Sequence, residues 1–317
     1  MQKSWLVGGG LFVLAALLPF VLTDYLVHIG ILVLMYAYLA TAWNILGGYA
    51  GQHSLGHALF MGIGAYTSTY LFTAWGITPW LGMWPGALLA GLAGWLVATI
   101  CFRFGLKGSY FALVTIALAE AAVYLVISSD ALGGNEGLAV TWMGNRPDLM
   151  QFEDKRIYYY IILLMTAAAI LLTARLAHRR FGYQMLAVRE NEEAAEALGI
   201  DTFGIKVRAS MISAVLTAFG GVFFAQYFTY VNPRAVFGEA VSVQILLFAI
   251  IGGLGTVWGP ALGALVLAPI AELSRALFSS VFSGANLLIY GIVLVVVMLF
   301  FPRGLMGLLE RFRSVKQ

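Results

Sequence analysis

A set of polar residues follows a cluster of glycines in an otherwise apolar part of the chain: Gln52, His53, Ser54 and His57. Two histidines four residues apart on a helix could bind a metal ion. However, no Glu follows the first one as in the zinc-protease pattern, so the spacing does not favour a metal site. Residues 44–66 predict a broken helix, because glycine loosens a helix and irregular backbone in a membrane is tolerated only where protein or a water-filled cavity surrounds it. We expect the polar residues to satisfy the freed backbone, to line a passage, or to do both.

Four further residues are candidates for lining the same passage: Asn44, Tyr66, Glu120 and Gln226. Glu120 lies inside a predicted span, where a carboxylate is expensive and therefore indicates a function. It could equally face a partner subunit or lie near the outer boundary of the membrane. Gln226 lies near the outer end of its span, where lining a passage and anchoring at the interface are both open.

The composition is that of an integral membrane protein. The chain has 317 residues, of which 61% are hydrophobic and 10% charged, whereas about a quarter of a soluble domain is charged. The single cysteine, Cys101, excludes a disulfide framework or a cysteine metal site within the chain. The net charge of +3 is interpreted as an orientation signal, so we expect a lipid bilayer as partner and no nucleic acid.

Apolar runs of about 20 residues predict an all-α integral membrane protein with about ten transmembrane helices, some short or discontinuous. With ten spans, thirteen of the 18 Lys and Arg residues fall on the inner side, which predicts that both termini are cytoplasmic. The whole chain, 1–317, is then one transmembrane domain with an outer loop at about 128–156 and a cytoplasmic loop at about 176–206. The predicted spans are 5–23, 27–45, 57–75, 81–102, 109–127, 157–175, 208–231, 241–256, 259–278 and 285–301, and the run 241–256 is short enough to be a half-crossing helix.

The cytoplasmic loop contains a stretch of good helix formers at residues 181–201. We predict a short, charged helix that Gly199 ends at its C′ position. Such a helix could transmit force from a cytoplasmic partner, but composition alone favours a solvated connector. Its polar side is marked by Glu190, Glu192, Glu193 and Glu196, with Ala194 and Ala195 among them.

Glu193-Ala194-Ala195 followed by Gly199 resembles the EAA loop of ABC-transporter permeases. The wider chain, from about residue 30 to 307, resembles the LivM-type permeases of branched-chain amino acid transporters, although His53 stands where a less basic residue is expected. The matching segments are N-x2-GGYAGQ-x-SLGH at 44–57, GAY at 64–66, KGSYFALVT at 107–115, GGNEGL at 133–138, GGLGT at 252–256 with Gly259 and Pro260, and FPRGL at 301–305.

The resemblance implies a permease subunit in the bacterial inner membrane that carries branched-chain or related amino acids. Its expected partners are a second, LivH-type permease, two ATP-binding subunits and a periplasmic substrate-binding protein. The chain has no G-x4-G-K-[ST] pattern, so we expect ATP hydrolysis in the partners, and neither an enzyme activity nor a cofactor in this chain. The residues expected to couple it to the ATPases are Glu190, Glu193, Ala194, Ala195 and Gly199.

Three alternatives stay open. Similar permeases carry urea or short amides. A stand-alone, ion-coupled transporter would require intramembrane acid or base pairs, whereas Glu120 is nearly isolated. A membrane-embedded enzyme using His53 and His57 would require a third ligand or a nucleophile pair, which the sequence does not offer.

Overall fold

The computed structural model describes residues 14–278, together with residues 10, 12, 291, 292, 295 and 304–307. Within these residues the chain is predominantly helical, with two short strands. The predicted span 285–301 lies largely outside the described residues, and the predicted span 5–23 is described at residues 10, 12 and 14–23. The helices are α1 (Asp24–Asn44), α2 (His57–Trp75), α3 (Pro79–Arg103), α4 (Ser109–Ile127), α5 (Lys155–Ala177), α6 (Arg180–Glu190), α7 (Glu192–Ala197), α8 (Thr202–Phe228), α9 (Pro233–Phe237), α10 (Glu239–Gly252) and α11 (Gly259–Phe278).

Six helical segments of the described chain are long and apolar enough to cross a membrane, which makes this a multi-pass helical membrane protein. Two further predicted spans, 57–75 and 259–278, coincide with α2 and α11. Helix α10 has 14 residues and is therefore about 21 Å long, less than the ~30 Å hydrocarbon core of a bilayer. The count of ten spans and the cytoplasmic termini stay predictions. The six segments are Asp24–Tyr49, Pro79–Arg103, Ser109–Ile127, Lys155–Ala177, Thr202–Phe228 and Pro233–Gly252.

The helices form two packed groups that share α1. Helices α2, α3 and α8 pack closely on one another, and α1 packs against α5, α10 and α11. Glycine permits the close approach in the first group, since a methyl group at Gly64 would lie 2.2 Å from the carbonyl oxygen of Ala218. A methyl group at Gly86 would lie 3.3 Å from the Cα atom of Gly64. Because these glycines have no side chain, the helix backbones can approach closely, as they do at small residues in membrane bundles.

The predicted outer loop and the predicted cytoplasmic loop lie at opposite ends of α5. Within the outer loop, β1 (Leu138–Ala139) pairs antiparallel with β2 (Tyr230–Val231), which follows α8. Helices α6 and α7 follow the other end of α5. This end of the bundle, called the α6–α7 end below, carries the helix break predicted from residues 44–66.

Candidate functional site

The predicted break between the first two helices is confirmed. Helix α1 ends at Asn44, a π-helical turn covers Ile45–Tyr49, and α2 begins only at His57. Glycine is required in the turn, because a methyl group at Gly47 would lie 2.1 Å from the Trp43 ring. The intervening chain is held by bonds that no regular helix supplies, so its backbone depends on contacts with the surrounding helices.

Side chains of three other elements satisfy the freed backbone groups. The indole Nε1 of Trp43 donates to the carbonyl oxygen of Ser54 at 2.8 Å. The amide of Leu55 donates to Thr115 Oγ1 of α4 at 3.1 Å. The amide of Ala58, in the first turn of α2, donates to Ser242 Oγ of α10 at 2.8 Å. The break is therefore buried in protein, as irregular backbone at membrane depth requires.

His57 is fully buried and bonded through both ring nitrogens. Its Nε2 lies 2.7 Å from Ser213 Oγ, and that hydroxyl donates to the carbonyl oxygen of Ala42, also at 2.7 Å. Since the hydroxyl proton is used there, His57 Nε2 must carry the hydrogen, and Nδ1 accepts from Ser54 Oγ at 3.2 Å. A neutral His57 thus joins the start of α2 to α8 and, through Ser213, to the end of α1.

The other polar residues of the break differ in exposure. His53 is exposed and precedes α2, so the two histidines do not share a helix face as the metal-binding spacing would require. Its Nδ1 lies 3.2 Å from the carbonyl oxygen of Gly51. Gln52 is nearly buried, and its Nε2 donates to the carbonyl oxygen of Ala50 at 3.1 Å. Gln52 thus braces the break, and within this chain only His53 is freely accessible among the four polar residues that the sequence singles out.

A second break, at residues 253–258 between α10 and α11, lies directly against the first. Asn44 joins the two: its Oδ1 accepts from the amide of Gly255 at 2.9 Å, and its Nδ2 donates to the carbonyl oxygen of Thr256 at 2.9 Å. Asn44 is fully buried, and a methyl group at Gly48 would lie 2.6 Å from the Gly255 nitrogen. The two glycine-rich segments therefore form one site, called the double break below, which consists of residues 44–57 and 253–258.

Arg189 of α6 reaches this double break and was missed in the sequence analysis. Its Nη1 donates to the carbonyl oxygen of Gly48 at 2.8 Å. The available signal was helical spacing, since Arg189 follows the buried Met185 by four residues and so lies on the same face of α6. That spacing indicates a residue directed towards the bundle, but it does not identify the partner.

The predicted single helix of the cytoplasmic loop is wrong, because the structure has two helices that meet at Asn191. The backbone of Asn191 is extended, with φ −158° and ψ 108°, and its Oδ1 accepts from the amide of Ala194 at 3.0 Å. Asparagine competes with a helix by making such a cap. The predicted stop at Gly199 is confirmed: its φ is +80°, and the amide of Ile200 donates to the carbonyl oxygen of Ala195, as in a Schellman motif.

Helix α7 has one anchored face and one exposed face. Ala195 is buried, whereas Glu193, Ala194 and Gly199 are exposed, as is Glu190 at the end of α6. The carboxylate of Glu192 binds Lys206 of α8, whose side chain is only 4% exposed.

Lys107 completes this contact from the α3–α4 connection, with its Nζ 3.1 Å from Glu192 Oε2. Burial opposes ionisation of Glu192, but hydrogen bonds and charge from Lys206 and Lys107 outweigh it and hold its pKa below the ordinary value of 4.5. Lys206 Nζ also lies 4.7 Å from the centre of the Phe102 ring. Two separate elements, α8 and the α3–α4 connection, therefore hold α7 on the bundle.

The three remaining candidates lie away from the double break, towards the opposite end of the bundle. Tyr66 is buried, and its hydroxyl donates to the carbonyl oxygen of Val231 at 3.2 Å. Gln226 is fully buried, and its side-chain amide has no hydrogen-bond partner among the described residues. Glu120 is half-buried, and its Oε1 accepts weakly from the amide of Glu239 at 3.4 Å. The structure thus divides the predicted lining between two ends of the bundle, and a role in transport stays a prediction for each residue.

Broken helices packed within a multi-pass bundle are typical of membrane transport proteins. The family model described as "Branched-chain amino acid transport system / permease component" matches residues 25–301. The chain therefore belongs to this family and is a permease subunit, which is a transport protein and not an enzyme.

Curated relatives agree with this assignment. The chain is 29% identical over 331 residues to the high-affinity branched-chain amino acid transport system permease protein LivM of Escherichia coli K12, covering 96% of this chain and 75% of the relative. It is 23% identical over 286 residues to LivH of Salmonella typhimurium, covering 86% and 91%. It is 24% identical over 185 residues to a probable LivM of Methanocaldococcus jannaschii, covering 56% and 52%. No solved structure matches the chain significantly.

Proposed function

We propose that this permease subunit carries branched-chain amino acids through the bacterial inner membrane as part of an ABC importer. The import path forms between this chain and a second, LivH-type permease. Two ATP-binding subunits dock on the α6–α7 end, and a periplasmic binding protein delivers the substrate at the opposite end. In this arrangement the chain has ten spans and cytoplasmic termini, and the loop at about 128–156 faces outward.

The observation that carries this proposal is the two-sided character of α7. Its exposed face presents Glu193 and Ala194, and Glu190 is exposed beside it at the end of α6. Its other face is held by the Glu192 contacts and by the burial of Ala195. A short helix that is firmly attached on one side and charged on the other can transmit a movement of a docked subunit to the bundle, whereas a solvated connector needs no such anchoring.

The first experiment is purification of the tagged protein from its own membranes in mild detergent, with identification of the proteins that accompany it. We expect a second permease and an ATP-binding subunit, ATP hydrolysis in the sample, and leucine uptake after reconstitution with the binding protein. Excess urea or acetamide should not compete with leucine. Competition by urea would favour the amide permease, and uptake by the lone chain without ATP would contradict the proposal in favour of a secondary transporter.

The docking surface is tested by reversing one exposed charge. Glu193→Lys should lower both ATPase co-purification and leucine uptake at least about tenfold, because like charges placed opposite each other cost several kcal/mol. The matched control for ATPase co-purification is Glu153→Lys, which reverses an exposed charge in the loop at the opposite end of the bundle. If Glu193→Lys behaves like Glu153→Lys, the exposed face of α7 is not the docking surface.

A further inference from the structure

We propose that Arg189 transmits the movement of the ATPase-docking helices to the double break and so couples ATP hydrolysis to transport. The inference rests on the proposed function, and it adds a positioning residue to it. Arg189 is the last-but-one residue of α6, two residues before the bend at Asn191 that leads into α7. A displacement of α7 therefore reaches Arg189 before it reaches the rest of α6.

The side chain of Arg189 is 35% exposed, and its inner side occupies space that glycines leave open. A methyl group at Gly51 would lie 2.9 Å from Arg189 Cγ, and one at Gly255 would lie 2.3 Å from Arg189 Nη1. Both glycines have positive φ, +70° and +69°. A larger residue at Gly255 would clash with the guanidinium group and one at Gly51 with the base of the side chain, so the glycines of both breaks make room for one arginine.

Arg189 contacts the first break directly and the second break at close range. Its Nη1 donates to the carbonyl oxygen of Gly48 at 2.8 Å, and this oxygen would lie only 3.0 Å from a methyl group at Gly255. The fully buried Asn44 then connects the two breaks through its bonds to Gly255 and Thr256. A pull on the Gly48 carbonyl therefore acts on both segments.

The contact with Gly48 is the main polar contact of Arg189. Arg189 also lies near a charged side chain, that of Glu190. The Glu190 Oε1 atom is 3.6 Å from Arg189 Nε, and the Glu190 side chain is 74% exposed. An ion pair with so exposed a partner contributes little. A hydrogen bond from a charged donor to a carbonyl is stronger, and this one crosses from the docking helices to the membrane bundle.

A small displacement of Arg189 is sufficient to break its hydrogen bond to Gly48. Element shifts in switching proteins are about 1–2 Å. Moving Arg189 outward by about 1 Å would stretch a bond of 2.8 Å beyond the range of a hydrogen bond. The backbone of residues 45–56 must then follow or lose the bond, and only the single π-helical turn Ile45–Tyr49 resists movement, since residues 50–56 are not helical.

The test uses the complete importer in proteoliposomes and measures leucine uptake per ATP hydrolysed. Arg189→Ala should retain its ATPase subunits and ATP hydrolysis while uptake per ATP falls about tenfold, the loss expected for one hydrogen bond from a charged donor. Arg189→Lys, which keeps the charge without the planar fork, should lie between that variant and the parent. Arg103→Ala, which removes an exposed arginine from the end of α3, should match the parent. Parental uptake per ATP in Arg189→Ala would overturn the proposal.

A second measurement begins with the parent protein and so does not rest on a variant alone. Amide hydrogen exchange of the parent importer, with and without bound ATP, should change at residues 45–56 and 253–258 together. In Arg189→Lys the ATP-dependent change should be reduced at both segments, although a purely structural role would leave it intact. Exchange that is insensitive to ATP at both segments of the parent overturns the proposal, whereas failure of any ATPase to co-purify with the parent overturns the proposed function itself.

Discussion

Replacing Glu192 with alanine should release α7 from the bundle while leaving the membrane helices in place. Glu192 neutralises Lys206, whose side chain is 4% exposed. Without this carboxylate the ammonium group keeps only the face of the Phe102 ring, 4.7 Å away, as a described counterpart. Removing one partner of a buried ion pair costs about 3 kcal/mol. This cost raises the free energy of the state in which α7 is packed on the bundle. When α7 moves away from the bundle, Lys206 is exposed to water and the cost is relieved.

The expected change in the amide exchange rate follows from this free-energy cost. A free-energy change of about 3 kcal/mol corresponds to a factor of about 100 in the local opening equilibrium. We therefore expect Glu192→Ala to accelerate amide exchange of residues 191–200 about 100-fold in detergent at pH 7. Exchange of α8 beyond its first turns should not change. The measurement is hydrogen-exchange mass spectrometry of the purified protein.

Two variants complete this test. Glu193→Ala removes the neighbouring exposed carboxylate and should leave exchange near that of the parent. Glu192→Ala combined with Lys206→Met removes the orphaned charge and should restore most of the protection, because an apolar side chain of similar size is tolerated where a buried ion pair stood. Unchanged exchange in Glu192→Ala would refute the reasoning, because the ion pair would then not hold α7.

The pH dependence of the same segment has a defined sign. Because the folded-state pKa of Glu192 lies below 4.5, its contribution to stability is complete above that value and is lost as the pH falls through the lowered pKa. Protection of residues 191–200, corrected for intrinsic exchange, should therefore be constant from pH 8 to 5 and fall only below 4.5. A loss between pH 7 and 6 would mean that a different group holds α7. Gly199→Val should abolish ATPase co-purification, because the φ of +80° costs a β-branched residue about 1–2 kcal/mol and the Schellman stop of α7 is lost. Gly105→Val, at a φ of +68° with equally open surroundings, is the control for strain alone, and equal loss of co-purification in both variants would contradict the assignment.

The sequence alone determined the features that depend on local chemistry. Span 57–75 coincides with α2 and span 109–127 with α4, because an apolar run of that length must form a helix that satisfies its own backbone in lipid. The break after Asn44 and the stop at Gly199 were also predictable, since glycine acts on its own few residues. Even the family was evident from the order of short motifs.

Only the tertiary structure decided which of these local features meet. Asn44 bonds Gly255 across 211 positions, and Arg189 bonds Gly48 across 141. His57 found its partner in Ser213, 156 residues away, which made it a buried connection between helices within this chain. The periodicity of apolar residues shows which face of a helix is buried, but it does not identify the residues that this face contacts. That depends on how the helices pack, so the joining of the two breaks to the docking helices became visible only in three dimensions.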